Sequence, residues 1–224
     1  MLPPSGRDAT GRAFGKPTQS VRARNNRLRS CSCPHVFRGM GDGCGGLKVG
    51  TEMSGGVSDV IFEHNRIDYA GIAIKLSAPT PRGGVVKNIT WTDLDIRNSG
   101  MVIGIDVNLA GSDPKEPPPP PPDVALVADV TFANIVARNL SCCEGCVDYG
   151  CDAKARSAGW LQAGPFKNVD GWEGIHGVTF SNISVLGHTP SDSPLSWLCS
   201  EKGAMSGKAS GMVPPLSAGC VGGV

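Results

Sequence analysis

The 224-residue chain has no run of eighteen apolar residues, which excludes a membrane-spanning helix. Its start, Met-Leu-Pro-Pro-Ser-Gly-Arg-Asp, lacks the apolar stretch of a signal peptide. An excess of charge is missing too: Lys+Arg 21 against Asp+Glu 20 leaves a formal charge of +1. No global field draws such a chain to nucleic acid or an anionic membrane, so neither is expected as a partner, and polyanions can be bound only locally. Uninterrupted helix-forming stretches are scarce, because Gly 31 and Pro 18 weaken helix interiors throughout. Helix bundles are thereby disfavoured. What is present is 40% hydrophobic content, enough in a chain of this length for one sizeable core, and nine cysteines. The odd count leaves at least one thiol unpaired if the others bridge, and the number leans towards an exported protein.

A repeat runs through the chain. Val57-Ser58-Asp59-Val60-Ile61-Phe62-Glu63-His64-Asn65-Arg66-Ile67 aligns without gaps on Val86-Lys87-Asn88-Ile89-Thr90-Trp91-Thr92-Asp93-Leu94-Asp95-Ile96. Further copies begin at Val127 and Ile175, and a weaker one spans residues 20–28. Each copy is rich in β-branched residues and alternates apolar with polar positions, as a short strand does. Taking Val21, Val60, Ile89, Val130 and Val178 as equivalent gives uneven spacings, the mark of repeats carrying loops of different length. One such strand cannot bury its apolar side alone, so the copies must stack, and a parallel β-solenoid is the expected product. Asn65, Asn134 and Asn182 fall at a turn, where they either hydrogen-bond along the stack or simply tolerate a left-handed backbone.

This reading divides the chain into an irregular segment over 1–19, stacked strands over 20–190 and an irregular tail over 191–224. A proline-rich insertion at 111–123 cannot donate ladder hydrogen bonds and serves as a spacer.

Gly43-Cys44-Gly45-Gly46-Leu47-Lys48-Val49-Gly50-Thr51-Glu52-Met53-Ser54-Gly55-Gly56-Val57 resembles a segment of the polygalacturonases, glycoside hydrolase family 28, that in many bacterial members reads G-H-G-G-F-V-I-G-S-E-M-S-G-G-V. Gly71-Ile72-Ala73-Ile74-Lys75 is similar to the family's G-I-R-I-K, and Arg82-Gly83-Gly84-Val85-Val86-Lys87-Asn88-Ile89 to its R-G-G-x-V-x-N-I. Trp197-Leu198-Cys199, with Pro214-Pro215 ahead of Cys220, resembles the cysteine-closed tail of plant-type members, which makes Cys199 with Cys220 the expected disulfide. The resemblance implies an all-β, right-handed parallel β-helix that acts outside the cell or in the cell wall, without a cofactor. The implied substrate is a pectin-type polysaccharide, cleaved by inverting hydrolysis of α-1,4-galacturonosyl bonds.

Inverting hydrolysis needs one carboxylic acid to protonate the leaving oxygen and a carboxylate to activate water. The family supplies these from Asn-Thr-Asp and Asp-Asp motifs ahead of G-H-G, and this chain has neither. The residues before Gly43 hold only Asp8 and Asp42, and Asp42 is a weak candidate acid. The expectation is therefore a β-helix truncated at its N-terminal end, exposing unpaired strands through which copies self-associate. Cys44 stands where the family has its histidine, and a thiol with a pKa near about 8.5 cannot exchange protons in the same way. Ala73 replaces the arginine that clamps a uronate carboxylate, whereas Lys75 remains as a substrate-binding charge. Glu52 matches the family's own glutamate and is assigned a structural role. His64, His176 and His188 lack ligand-like spacing. Cys142, Cys143, Cys146 and Cys151 carry the two-residue spacing of a zinc site but no completing pair, so disulfides are expected and no metal. Two functions stay open: a glycosidase, or a β-helix that binds carbohydrate without cleaving it.

Overall fold

The computed structural model describes residues 17–29, 46–50, 53, 55–78, 83–107, 125–141, 156–162, 175–188, 195–199 and 205–222. These residues contain strands and no helix. In chain order the strands are β1 (Thr18–Arg24), β2 (Arg27–Arg29), β3 (Leu47–Val49), β4 (Val57–Glu63), β5 (Arg66–Asp68), β6 (Ile72–Ser77) and β7 (Val85–Arg97). They continue with β8 (Met101–Asp106), β9 (Leu126–Leu140), β10 (Arg156–Gln162), β11 (Ile175–His188), β12 (Leu195–Cys199) and β13 (Met205–Val213). One sheet has the order β1-β4-β7-β9-β11-β13, with β2 and β5 prolonging its first levels, and the other has the order β12-β10-β8-β6-β3. Every pairing between strands is parallel. From β5 onward the chain alternates between the two sheets, so each sheet gains a strand as the sequence advances.

The ladder reproduces the sequence repeat. Val21 pairs with Val60, Val60 with Ile89, and Ile89 with Val130. Two residues further on, the aromatic positions of successive copies pile into a column. Phe62 stacks on Trp91, Trp91 on Phe132 and Phe132 on Phe180, with ring centroids 5.5, 5.0 and 5.1 Å apart. Each stacked pair stabilises by about 0.5–1.5 kcal/mol beyond the area it buries.

Strict alternation breaks at regular places. Asp59, His64 and Tyr69 have positive φ, as do Asn88, Asp93 and Asn98 one level on, and Asp129, Asn134 and Asn139 at the next. Gly177, Asn182 and Gly187 complete the three columns, so a left-handed residue recurs every fifth position along the chain. Asn, Asp and Gly occupy most of these places because L-residues with larger side chains clash there. Each left-handed residue inserts an extra outward position, and the inward ones advance by three and then two. Val127, Val130, Phe132, Ile135, Ala137 and Leu140 are all buried on β9, and Val86, Ile89, Trp91, Leu94 and Ile96 repeat the pattern on β7.

Two sequence expectations need revision. Asn65 is not the counterpart of Asn134 and Asn182: His64 is, through Asp93. Asn65 sits one place later, on the inward column occupied by Leu94, Ile135 and Ile183. Its amide is buried, and it survives there because Oδ1 accepts from the Asn26 backbone N–H at 2.9 Å and Nδ2 donates to the Ala23 carbonyl at 3.0 Å. Secondly, residues 191–224 are not uniformly irregular. They supply β12 and β13, which extend both sheets even though Gly207 and Gly211 blur the pattern. The segment 111–123 lies outside the described residues, as do 1–16.

Candidate functional site

The five-stranded sheet turns Ile74, Leu76, Ile103, Ile105 and Leu161 into the core. Alternation then puts Lys75, Ser77, Gly104, Asp106, Trp160 and Gln162 on its other face. Register aligns them in two rows. Lys48 pairs with Lys75, Lys75 with Gly104, Gly104 with Trp160 and Trp160 with Leu198. Two residues along, Ser77 pairs with Asp106 and Asp106 with Gln162.

This is an unusual face for a sheet. Lys75 is 5% exposed and Asp106 1%, although charged side chains rarely lie so deep. Lys48 lies beside Lys75 on the neighbouring strand. Gly104 carries no side chain between Lys75 and the Trp160 indole; an added Cβ would lie 3.2 Å from Ile72 Cγ2 and 3.9 Å from Lys75 Cγ. The Ile72 side chain fills the space over Gly104. Lys75, Trp160 and Asp106 thus place a cation, an indole and a carboxylate on three neighbouring strands.

Of the residues singled out in the sequence, Lys75 lies on this face. Asp42, Cys44 and Glu52 fall outside the described residues, as do Cys142, Cys143, Cys146 and Cys151. Cys199 and Cys220 form a disulfide, with Cα atoms 5.5 Å apart, and close the chain end as expected. Trp197 Nε1 donates to the Pro214 carbonyl at 3.0 Å beside it. His64 holds a left-handed turn, and His176 Nδ1 lies 3.3 Å from Ser206 Oγ. No cluster of metal-ligating side chains exists among the described residues.

Asp106 was missed by sequence reasoning. Its only signal is a carboxylate closing the apolar run Met101-Val102-Ile103-Gly104-Ile105, at the place where the preceding repeat has Ser77. Among the described residues of this sheet it is the one carboxylate.

The eight-stranded sheet carries a depression of about 480 Å³, lined by Asp59, Asn88, Asp129 and the hydroxyl column Thr90, Thr131 and Thr179. Asn88 Nδ2 donates to Asp59 Oδ1 at 2.9 Å. That bond, with a second from the Ser58 hydroxyl, holds the Asp59 carboxyl below the usual range against a smaller opposing effect of burial. Its two carboxylates, Asp59 and Asp129, lie on β4 and β9 with Asn88 of β7 between them. Set against known proteins, the chain matches no family model, no curated protein and no solved structure.

Proposed function

We propose that the chain is a polygalacturonase-like glycoside hydrolase fold, a right-handed parallel β-helix, that engages pectin-type polysaccharide outside the cell through Lys75. The observation that carries this reading is the row Lys48, Lys75, Gly104 and Trp160, which aligns two lysines and an indole across four neighbouring strands. The alternation of the chain between two parallel sheets supports the helical winding, since crossovers between parallel strands are overwhelmingly right-handed. The quoted segments around Gly43–Val57 and Gly71–Lys75 point to galacturonosyl bonds as the target.

Hydrolysis with inversion requires two carboxyl groups separated by about 6.5–9.5 Å. Asp106 alone represents them on the described part of this face, and that favours a second reading: a β-helix that holds the polymer without cleaving it. Incubation with polygalacturonate separates the two. Release of reducing ends marks the hydrolase, and retention on the polymer without release marks the binding protein. In either case Lys75→Ala is expected to weaken polygalacturonate affinity about tenfold, equivalent to about 1.4 kcal/mol. Neither cleavage nor binding of polygalacturonate would end both readings.

A further inference from the structure

Three stretches of the chain read Asn, one apolar residue, then a hydroxyl: Asn88-Ile89-Thr90, Asn139-Leu140-Ser141 and Asn182-Ile183-Ser184. With no proline between, this is the acceptor pattern for an N-linked oligosaccharide. The repeat itself generates part of the pattern, because a left-handed turn favours Asn, the next residue enters the core and the one after it faces outward. Ile89, Leu140 and Ile183 are accordingly buried, while all three asparagines are exposed, with φ of 55°, 54° and 51°. Pattern and exposure therefore do not distinguish the three.

Their side-chain amides do. Asn88 Nδ2 donates to Asp59 Oδ1 at 2.9 Å and Asn182 Nδ2 to Asn134 Oδ1 at 3.0 Å, so each ties two levels of the eight-stranded sheet together. At the third place neither the Asn139 side-chain amide nor the Ser141 hydroxyl has a hydrogen-bond partner among the described residues. Gly187 follows Asn139 in the same column, and even a Cβ added there would stay 3.5 Å from Asn139 Oδ1. Asn139 is also the penultimate residue of β9, so a bulky group attached to it can leave past the strand end. A group on Asn88 or Asn182 would instead compete with a bond between levels. The Cys199–Cys220 disulfide bears on compartment independently: such bonds form in oxidising surroundings, among them the secretory lumen where asparagines meet a lipid-linked sugar donor.

We infer that Asn139 is the attachment site of an N-linked oligosaccharide. The donor is an oligosaccharide carried on a lipid pyrophosphate. Asn139 Nδ2 bonds to C1 of the first sugar, the C1–O bond to the pyrophosphate breaks, the pyrophosphate leaves with that electron pair, and Nδ2 gives up one proton. Ser141 supplies the hydroxyl that the transferring enzyme reads. This site rests on the export in the function proposed above and is independent of any pectic ligand.

The test is peptide mass spectrometry of the protein from its natural source, before and after treatment with a peptide:N-glycosidase in heavy-oxygen water. Asn139 is expected to carry the glycan and to be converted to a labelled aspartate, with Asn88 and Asn182 unmodified. An unmodified Asn139 overturns the inference, and so does equal occupancy at all three. In the full chain secreted from a eukaryotic host, Asn139→Gly and Ser141→Ala are each expected to lose the same single glycan, and Ser141→Thr to keep it. Asn139→Gly keeps the left-handed turn, as Gly187 does on the next level, which guards against misfolding. Retention of the glycan by Ser141→Ala overturns the inference as well. Asn139→Gly is expected to bind polygalacturonate as the wild type does, so loss of the glycan and failure of the proposed function are read separately.

Discussion

The rings of Trp91 and Phe132 stack 5.0 Å apart and 5° from parallel, while the buried indole Nε1 of Trp91 has no hydrogen-bond partner among the described residues. The column gains from the aromatic face and loses from the polar N–H.

Trp91→Phe is accordingly expected to change stability by no more than about 1 kcal/mol, because relief of an unsatisfied donor offsets the lost volume. Trp91→Ala leaves a cavity beside two rings and should cost about 3–5 kcal/mol. Urea denaturation of the two variants measures both; a Phe variant as damaged as the Ala variant would contradict the stacking argument.

The turn columns give a second prediction. Asn134 has φ 52° and links its neighbours, with Nδ2 donating to Asp93 Oδ1 at 3.2 Å and Oδ1 accepting from Asn182 at 3.0 Å. Asn134→Gly keeps the backbone relaxed and should cost under about 1 kcal/mol. Asn134→Val forces a β-branched residue into the left-handed region and should cost about 2–3 kcal/mol. Thermal midpoints in that order are the expected result, with Val lowest.

Much of this was legible in the sequence. The copies at Val57, Val86, Val127 and Ile175 align without gaps because parallel levels demand equal length between the turns, and the ladder preserves that alignment. The five-residue period was harder to see. Alternation by two fits any stretch between turns, and Asn or Asp occurs both at the left-handed places and beside them, which is how Asn65 was placed one position off. Asp106 was hidden for another reason: a lone acid at the end of an apolar strand has no local partner, and its meaning comes only from Lys75 and Ser77 on the adjoining strand. Of the candidate acids, the sequence drew attention to Asp42 through its neighbours in the chain rather than its neighbours in space.

A third prediction concerns acid. The Arg22 guanidinium holds the Glu63 carboxyl below its ordinary range. For Asp68, burial pushes the carboxyl up, but hydrogen bonds and charge from Arg66 and Arg27 prevail and hold it low. A carboxyl depressed in the folded state stabilises above its unfolded pKa, about 4, and that contribution disappears as pH falls through the lower folded value. Stability should hold level down to about pH 5 and then decline towards pH 2. Asp68→Asn should be less stable at pH 7 and show a shallower decline, as read by denaturation midpoints across that range.

The disulfide gives the fourth. Cys199 and Cys220 are 21 residues apart and join the end of β12 to the segment after β13. Closing a loop of that size restricts the unfolded chain by about 3 kcal/mol. Cys199→Ser with Cys220→Ser should lower stability by roughly that amount, with β12 and β13 losing amide-exchange protection ahead of β7 and β9. Uniform loss across all strands would contradict the expected local effect.

The five-residue turn spacing also governs where this chain can change length. Equivalent residues on successive levels are separated by 29, 39, 41 or 48 positions, yet the distance between turns stays at five residues on β4, β7, β9 and β11. One residue inserted between Asp129 and Asn134 would swap interior for exterior along the rest of that strand, whereas the same insertion in the crossings between sheets leaves every core column in place. Insertions and deletions are therefore tolerated in the crossings and penalised within the turns, so new loops can be grafted beside the five-stranded sheet without disturbing the hydrophobic interior.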